Sequence, residues 1–183
     1  MVYVFFAEGF EEVEALTSVD VLRRAGISVR TVGLEKNTVT GSHGISVLMD
    51  TTLDALDSLK DAEMLVLPGG MPGTNGLKAN LSLGEHLRFA EALGTPIAAI
   101  CAAPTALASH GIYPGRRVTV YPGNESAMEA YEPVDSPIVE DGPLITGRSI
   151  GAAMSFALKL VERLRGVDIR NQVEKAMYVP NQM

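Results

Sequence analysis

The sequence predicts an α/β fold, a doubly wound sandwich in which helices cover both faces of a mainly parallel sheet. Two observations lead to this prediction. Short apolar segments typical of buried strands alternate along the chain with segments that have the apolar spacing of amphipathic helices. In addition, no Pro/Ser-rich linker, internal repeat or low-complexity segment interrupts the 183 residues, so residues 1–183 are expected to form a single domain.

The amino-terminal elements follow from local patterns. Residues 2–6 are apolar, β-branched or aromatic, and they suit a strand buried on both faces. Residues 11–24 have helical spacing, and Gly26 stands where a glycine commonly ends a helix. A strand follows at 28–33, and the glycines and β-branched residues of 37–50 predict a hairpin.

Strands and helices continue to alternate up to residue 164. Further strands are predicted at 63–68, 96–100, 117–121 and 137–139, and after a turn within 140–147. Further helices are predicted at 82–93, 102–110 and 149–164. Functional loops in such sheets lie beyond the carboxyl ends of the strands. The loops expected to be functional are therefore residues 7–10, 68–73 and 101–104.

Charge and cysteine content exclude several classes of protein. The 22 acidic and 15 basic residues give a net charge of −7, which argues against a nucleic-acid-binding surface. One cysteine cannot form an intramolecular disulfide and, as a free thiol, it fits a reducing compartment. No apolar run reaches the roughly 20 residues of a membrane span, and the first residues do not resemble a signal peptide. We therefore expect a cytoplasmic protein that binds neither nucleic acid nor a membrane.

Cys101 is the residue on which the functional hypotheses depend. It lies between the predicted strand 96–100 and the predicted helix 102–110, where a side chain projects from a tight turn, as in a nucleophile elbow. The positive end of the helix dipole and the free N–H groups at that place favour a thiolate. The alternative is a structural cysteine buried in the core.

Residues 68–73 form a glycine-rich loop after another predicted strand. Because glycine lets the backbone approach a ligand closely, the N–H groups of Gly70 and Ala102 would form a pair of oxyanion donors if the two strands are neighbours. A plain glycine–proline turn is the alternative. A phosphate-binding loop is excluded, because the Gly-Lys-Ser/Thr ending is missing.

Glu14 is the third candidate. Helical spacing puts it on a mixed face with Phe10, Thr17 and Val21, where partial burial would raise the pKa of its carboxyl. When protonated, it would donate a hydrogen bond to a thiolate or move protons during a reaction. The alternative is an exposed helix glutamate. Glu11 and Glu12 point elsewhere and are expected to be solvated in the first helical turn.

Five segments together resemble the ThiJ/PfpI superfamily, in the branch of the Parkinsonism-associated protein DJ-one and its bacterial relatives. They occur in family order along nearly the whole chain, and the stretch Ala-Ile-Cys-Ala-Ala-Pro around Cys101 is the most specific. The segments are residues 8–14, 19–26, 66–70, 98–105 and 144–148. The resemblance implies a flavodoxin-like sandwich and a homodimer.

The resemblance also implies roles for single residues. Cys101 would be the reactive thiol, Glu14 its hydrogen-bonded partner, and the N–H groups of Gly70 and Ala102 the oxyanion donors, with Gly69 in the pocket. Similar proteins are credited with glyoxalase activity without a thiol cofactor, protein deglycation, chaperone action or oxidation sensing. Neither a metal nor another cofactor is expected, because no cluster of histidine and carboxylate ligands is visible in the sequence.

Several positions depart from the family pattern. Ala102 stands where the protease-like branch has a histidine, which argues against a Cys-His peptidase. Tyr121 replaces a histidine often found near the cysteine in the DJ-one branch, and tyrosine, with a pKa of about 10, is a poor base. His43 lies in the hairpin where relatives often carry an arginine, so it either lines the pocket across a dimer interface or is simply exposed. His86 is expected on a surface helix and His110 as a charge at a helix end.

Two functions follow from this set of residues. In the first, Cys101 adds to the aldehyde of methylglyoxal or a related 2-oxoaldehyde, or acts on its protein adducts, and Glu14 moves the protons until water releases a hydroxy acid. In the second, Cys101 serves an oxidation-sensing or chaperone-like protein with little turnover. The loss of the histidine at Tyr121 favours weak catalysis.

Overall fold

The computed structural model describes residues 1–56 and 58–179, and this part of the chain contains eleven strands and six α-helices. The strands are β1 (Val2–Phe6), β2 (Val29–Gly33), β3 (Thr38–Thr40), β4 (Ser46–Leu48), β5 (Thr51–Thr52), β6 (Met64–Leu67), β7 (Ile97–Ile100), β8 (Arg117–Val118), β9 (Glu132–Pro133), β10 (Ile138–Asp141) and β11 (Leu144–Gly147). The helices are α1 (Glu12–Arg24), α2 (Met71–Ala79), α3 (Leu81–Ala92), α4 (Pro104–His110), α5 (Ala153–Arg165) and α6 (Val167–Ala176).

Seven of the strands form the central sheet, in the order β10-β11-β7-β6-β1-β2-β5. Neighbouring strands from β11 to β5 pair in parallel, and the edge strand β10 pairs antiparallel with β11. The mainly parallel sheet predicted from the sequence is therefore confirmed. The strand order changes direction between β1 and β6, and in such sheets the crevice beyond the carboxyl ends at that point is where ligands bind.

Alternating apolar residues of the strands face two separate cores. Phe5 and Leu65 pack in one core with side chains of α2, α3 and α4. Phe6 and Val66 pack in the other core with side chains of α1, α5 and α6. Because the strands are apolar on both faces and helices bury each face, the predicted sandwich is correct.

The hairpin predicted at 37–50 forms as the antiparallel pair β3–β4. It lies against the loop that leads into α1, since the Gly9 N–H donates to the Thr40 carbonyl at 2.8 Å and the Ser42 N–H donates to the Phe10 carbonyl at 2.8 Å. The hairpin therefore covers the start of the helix that carries Glu14.

Two helices are absent from the sequence prediction. Met71–Ala79 forms α2 within and after the segment predicted as a loop, because Gly70, with a φ of +92°, reverses the chain and Pro72 fits the first turn. Val167–Ala176 forms α6 beyond the last predicted helix, after Gly166 ends α5. Proline and glycine within α2 disguised its helical pattern.

Two predicted elements are shorter than expected. The helix predicted from Ala102 begins at Pro104, because residues 101–103 form a turn. The strand predicted at 117–121 is regular only over Arg117–Val118, which pair with β9 outside the central sheet. Within the described residues, no helix is both long and apolar enough to span a membrane.

Candidate active site

Cys101 occupies a strained turn directly after β7. Its backbone φ is +66°, in the left-handed region that a non-glycine residue rarely adopts. The turn is fixed on both sides, since the Cys101 N–H donates to the Gly147 carbonyl at 2.9 Å and the Cys101 carbonyl accepts from the Tyr121 N–H at 2.8 Å. The side chain is half-buried. Strain of this kind is held in place by surrounding structure and is frequent at functional sites.

The Glu14 carboxyl reaches the cysteine from α1. Glu14 is wholly buried, so the alternative of an exposed helix glutamate is wrong. Oε2 accepts a hydrogen bond from the Gly69 N–H at 3.0 Å, and the carboxyl interacts with the Cys101 thiol. Oε1 is buried and has no partner in normal hydrogen-bond geometry among the described residues. One carboxyl oxygen is thus held in place, and the other is free to accept or donate a proton.

Gly69 separates the two side chains, and only a residue without a side chain fits there. A Cβ at Gly69 would lie 2.6 Å from Cys101 Cβ and 2.6 Å from Glu14 Oε2. The next residue, Gly70, has a positive φ, and its N–H and that of Ala102 lie close enough to the Cys101 thiol to lower its pKa. The two backbone groups predicted as oxyanion donors therefore lie at the sulfur.

The thiol and the carboxyl influence each other's protonation. Burial raises the pKa of Glu14 to about 7, although the interaction with Cys101 and the Gly69 N–H act in the opposite direction. Burial, together with the charge and hydrogen bond of ionised Glu14, raises the pKa of Cys101 to about 12. The hydrogen bonds from Gly70 and Ala102 lower it, as expected for the turn, but the expectation of a thiolate from the turn alone is wrong. Ionisation of one group opposes ionisation of the other, so the pair titrates as a unit.

The first turn of α1 is buried, contrary to the expectation that Glu11 and Glu12 are solvated. Their exposed fractions are 8% and 4%. The Glu11 carboxylate caps α1 by accepting from the Glu14 N–H at 2.7 Å. The Glu12 carboxylate accepts from the His43 backbone N–H at 2.7 Å, from the His43 ring at 2.8 Å and from the Ser42 hydroxyl at 3.3 Å. These donors come from the hairpin, about thirty residues along the chain, and no local sequence pattern indicates them.

Glu11, Glu12 and His43 form a cluster of histidine and carboxylate groups, which the sequence did not reveal. One potential ligand atom of each lies within 4.8 Å of the others. Both oxygens of Glu12 already accept hydrogen bonds, and burial of Glu12, which would raise its pKa, is outweighed by the bonds from His43, which lower it to about 2. The cluster is therefore explained as a clamp between helix and hairpin.

Within the described residues, no side-chain hydrogen bond joins Tyr121 or any of the three histidines to Cys101. The His43 side chain is 70% exposed, and its ring is held by Glu12. The Tyr121 side chain is exposed, and its contact with Cys101 is through its backbone N–H. His86 lies on α3, a helix with exposed residues, as predicted; its side chain is half-buried, and burial lowers its pKa. His110 ends α4, and its ring nitrogen Nε2 bonds to the Leu77 carbonyl at 2.9 Å, which links α4 to α2.

The fold and the site define a class of protein: a flavodoxin-like α/β protein with a cysteine on a strained strand-to-helix turn. Residues 1–163 match the DJ-1/PfpI family, and the chain belongs to that family. It is 42% identical over 179 residues to Protein dj-1beta of Drosophila melanogaster, covering 96% of this chain and 95% of that protein. It is 33% identical over 171 residues to Glutathione-independent glyoxalase DJR-1.2 of Caenorhabditis elegans, covering 93% of this chain and 91% of that protein.

Solved structures agree with this assignment. The crystal structure of Drosophila melanogaster DJ-1beta is 40% identical and superimposes with a TM-score of 0.94 over 98% of both chains. The structure of oxidized Toxoplasma gondii DJ-1 is 29% identical and superimposes with a TM-score of 0.93, also over 98% of both chains. The predicted fold class and family are therefore confirmed.

Proposed function

We propose that this protein is a cysteine-dependent enzyme that converts small 2-oxoaldehydes, or their protein adducts, without glutathione. The observation that carries the proposal is the wholly buried Glu14 carboxyl beside Cys101, with one oxygen fixed by Gly69 and the other unpartnered. A carboxyl with a pKa of about 7 gains and loses protons readily at neutral pH, as acid–base catalysis requires. The similarity to a glutathione-independent glyoxalase supports the same reaction class.

The first step is addition of the Cys101 sulfur to the aldehyde carbon of methylglyoxal. Ionised Glu14 takes the thiol proton as the C–S bond forms, and the carbonyl electrons move to oxygen. The N–H groups of Gly70 and Ala102, which lower the pKa of the thiol, would stabilise the developing oxyanion. Glu14 then returns the proton to that oxygen, which leaves a hemithioacetal and an ionised carboxylate.

The second step moves a proton between the two carbons. Glu14 removes the proton from the carbon bound to sulfur, which gives an enediolate, and delivers it to the neighbouring carbon, while the hydroxyl proton passes from the first oxygen to the second. The product is a lactoyl thioester of Cys101. Water hydrolyses the thioester, so methylglyoxal and water become lactate and the thiol is restored. No oxidant or reductant takes part.

This mechanism assigns all proton transfers to Glu14, because the Tyr121 side chain is exposed and Tyr121 contacts Cys101 through its backbone N–H. Residues 101–103 include no histidine next to the cysteine. A Cys-His peptidase mechanism would therefore lack its general base. We expect slow catalysis, since the single carboxyl must act as acid and base in turn.

The test is turnover of methylglyoxal by the purified protein in the absence of glutathione. Wild type should produce lactate, Cys101→Ser should produce none above background, and Glu14→Gln should be strongly impaired. Wild-type turnover no greater than that of Cys101→Ser would overturn the proposal. Reaction of a methylglyoxal-treated peptide in the same assay distinguishes free substrate from protein adducts.

Oxidation sensing is the second candidate function, supported by the similarity to an oxidized DJ-1 structure. Cys101 is half-buried, and two N–H groups at the sulfur would stabilise a negatively charged sulfinate. Intact mass after mild peroxide tests it, with Cys101→Ser to subtract oxidation of the eight methionines. An unoxidised Cys101 under conditions that oxidise a free thiol would reject this function.

We also propose that the protein acts as a homodimer in the cytoplasm. Large apolar side chains are exposed on α1 and on the hairpin, with exposed fractions of 48% for Val13, 52% for Ile45 and 75% for Leu48. A second copy of the chain would bury them. Light scattering should give the mass of a dimer for wild type and a monomer for Leu48→Glu. A monomeric wild type at micromolar concentration would contradict the dimer.

A further inference from the structure

We propose that a cavity beside α2 binds a small primary amine, a short branched alkyl chain that ends in an ammonium group. The cavity has a volume of about 200 Å³ and lies beyond the carboxyl ends of β1 and β2. Ligands of mainly parallel sheets bind at this edge of the sheet. Because sites for drug-sized molecules have volumes of roughly 300–1,000 Å³, the ligand of this cavity is smaller than that.

The cavity is separate from the site at Cys101. Pro72 lines the cavity and packs against Gly9, where a Cβ would lie 2.4 Å from Pro72 Cβ. Neither Cys101 nor Glu14 is among the described residues that line the cavity, and Gly70 is not among them either. The mechanism proposed above therefore makes no use of this cavity, and binding there is measured without any turnover.

The interior of the cavity is apolar. The side chains of Phe6, Leu34 and Val39 line it, and each is at most 8% exposed to solvent. Small residues meet where the cavity borders α2, since a Cβ at Gly76 would lie 3.0 Å from Ala7 Cβ. The loop after β2 is anchored to β1, because the Leu34 N–H donates to the Phe6 carbonyl at 2.9 Å. An apolar interior of this size suits a short branched alkyl chain.

The charged residues that line the cavity are exposed and therefore lie at its mouth. Lys36 and Glu8 form an ion pair at 3.1 Å, and their side chains are 58% and 53% exposed. Glu8 Oε2 also accepts from the Thr40 N–H at 3.4 Å. Glu35 is exposed too, and its carboxylate has no hydrogen bond or ion pair with the part of the chain that the structure describes. The mouth thus carries two negative charges and one positive charge, and one carboxylate is left for a ligand.

This distribution of charge selects the chemical class of the ligand. An ammonium group at the mouth pairs with Glu35 and leaves the ion pair of Glu8 and Lys36 intact, whereas a carboxylate would have to compete with Glu8 for the lysine. An alkylamine also enters in the right orientation, because its apolar end meets the apolar interior. The lysine side chain of another protein would enter with its charged end first, which an apolar interior disfavours.

The experiment compares three ligands that share one branched five-carbon skeleton: isopentylamine, the neutral isopentanol and the anionic isovalerate. Each is titrated into the full chain at neutral pH and low salt, and dissociation constants are measured from NMR shifts of the backbone amides. An amine of about six heavy atoms should bind with a millimolar dissociation constant. The shifts should centre on residues 6–8, 34–36 and 73–76. The amine should bind about threefold more tightly than the alcohol or the carboxylate, with a smaller preference at high salt.

Two exposed substitutions should shift the affinity for the amine in opposite directions. Glu35→Gln removes the unpaired carboxylate and should weaken binding of the amine about threefold. Lys36→Gln removes the cation at the mouth and frees Glu8, so it should strengthen binding of the amine about twofold. The affinity for isopentanol should be unchanged in both variants. Glu85→Gln, which removes the same charge from an exposed position of α3, should change neither affinity.

Gly76→Ala tests the apolar interior. The added methyl group takes up space next to Ala7 and should weaken binding of the amine and the alcohol to the same degree, while alanine suits a helix better than glycine. Melting temperatures establish that the variants are folded, and the two exposed substitutions decide if Gly76→Ala is not.

Three results would overturn the proposal. One is the absence of any shift at amine concentrations well above the millimolar range, or shifts centred away from the cavity. Another is an alcohol or a carboxylate that binds as tightly as the amine. The third is an affinity for the amine that is the same in Glu35→Gln and wild type.

Discussion

Glu12 and Glu14 lie two residues apart on one helix, and both are buried, but their pKa values move in opposite directions. Burial would raise the pKa of Glu12, but hydrogen bonds from the ring and backbone of His43 outweigh it and lower that pKa to about 2. Burial raises the pKa of Glu14 to about 7, and Gly69 supplies one backbone hydrogen bond against it. Burial raises the pKa of both carboxyls, and the donors around Glu12 reverse its effect there.

A glycine makes room for each carboxyl. A Cβ at Gly41 would lie 2.4 Å from Glu12 Cδ, and a Cβ at Gly69 would lie 2.6 Å from Glu14 Oε2. Around Glu12 the space is filled by the turn of the hairpin, which satisfies the carboxylate. Around Glu14 it is filled by Cys101, which leaves one oxygen without a partner. One glutamate therefore fastens the hairpin, and the other is kept available for chemistry.

The largest expected effect is on turnover. Glu14→Gln should lower kcat for methylglyoxal by about 10²–10⁴-fold, because the group that moves protons is lost. Glu12→Gln makes the same chemical change two residues away on the same helix, and it should lower kcat far less. Lactate formation measures both variants, and an equal loss in the two would remove the distinction between them.

The paired glycines provide the next test. Gly69→Ala should destabilise the protein by about 1–3 kcal/mol and abolish most turnover, because the methyl group pushes Cys101 and Glu14 apart. Gly41→Ala should destabilise it to a similar degree while retaining much more turnover, because it disturbs Glu12 and the hairpin. Denaturant unfolding and lactate formation are measured together. Full activity in Gly69→Ala would show that the close contact around Gly69 is unimportant.

Stability should respond to pH with opposite sign at the two glutamates. Because the pKa of Glu12 falls from 4.5 to about 2 on folding, its stabilisation is present above pH 4.5 and is lost as pH falls toward 2. Because the pKa of Glu14 rises from 4.5 to about 7, the folded state loses stability as pH rises from 4.5 through 7. At pH 8, Glu12→Gln should destabilise by about 1–2 kcal/mol, and Glu14→Gln should stabilise by about 1 kcal/mol.

Urea titrations of wild type and both variants at acidic and alkaline pH measure these differences. The stability of Glu14→Gln relative to wild type should grow between pH 5 and pH 8. A variant that is less stable than wild type at pH 8 would mean that the Glu14 carboxylate is well solvated or paired in the folded protein.

The smallest effect is expected at Thr74, whose buried Oγ1 also lacks a hydrogen-bond partner among the described residues. Unlike Glu14, Thr74 contacts no reacting group in the proposed mechanism. Thr74→Val replaces the hydroxyl by a methyl group of similar size and should stabilise the protein by up to about 1 kcal/mol, with turnover unchanged. Thermal unfolding measures this effect, and a clear loss of stability would indicate a partner for the hydroxyl.

The fold class could be predicted from sequence because the strands are apolar on both faces and the main helices have a continuous apolar stripe. The turn at Cys101 could also be predicted from sequence, because an apolar strand, small residues and Pro104 follow one another directly. Helix α2 was missed because Pro72, Gly73 and Gly76 weaken its local helical pattern. Tertiary packing stabilises this helix where its intrinsic helix propensity is low.

The electrostatics of the site could not be predicted from local patterns. Burial of Glu11 and Glu12 depends on a hairpin that packs against the helix from about thirty residues away, and His43 is recognisable as a donor only in the folded chain. The pKa of Cys101 depends on the charge of Glu14 and on burial as well as on the turn. A helix terminus considered alone therefore predicts the wrong direction.

The most direct test is the pH dependence of Cys101 alkylation by iodoacetamide, in wild type and in Glu14→Gln. If the thiol and the carboxyl titrate as one unit, the wild-type rate rises near pH 7, where the pair loses its first proton, and rises again at strongly alkaline pH. Glu14→Gln should show a single rise with no step near pH 7. A step near pH 7 that persists in Glu14→Gln, or that is absent from wild type, would contradict the coupling of Cys101 to Glu14.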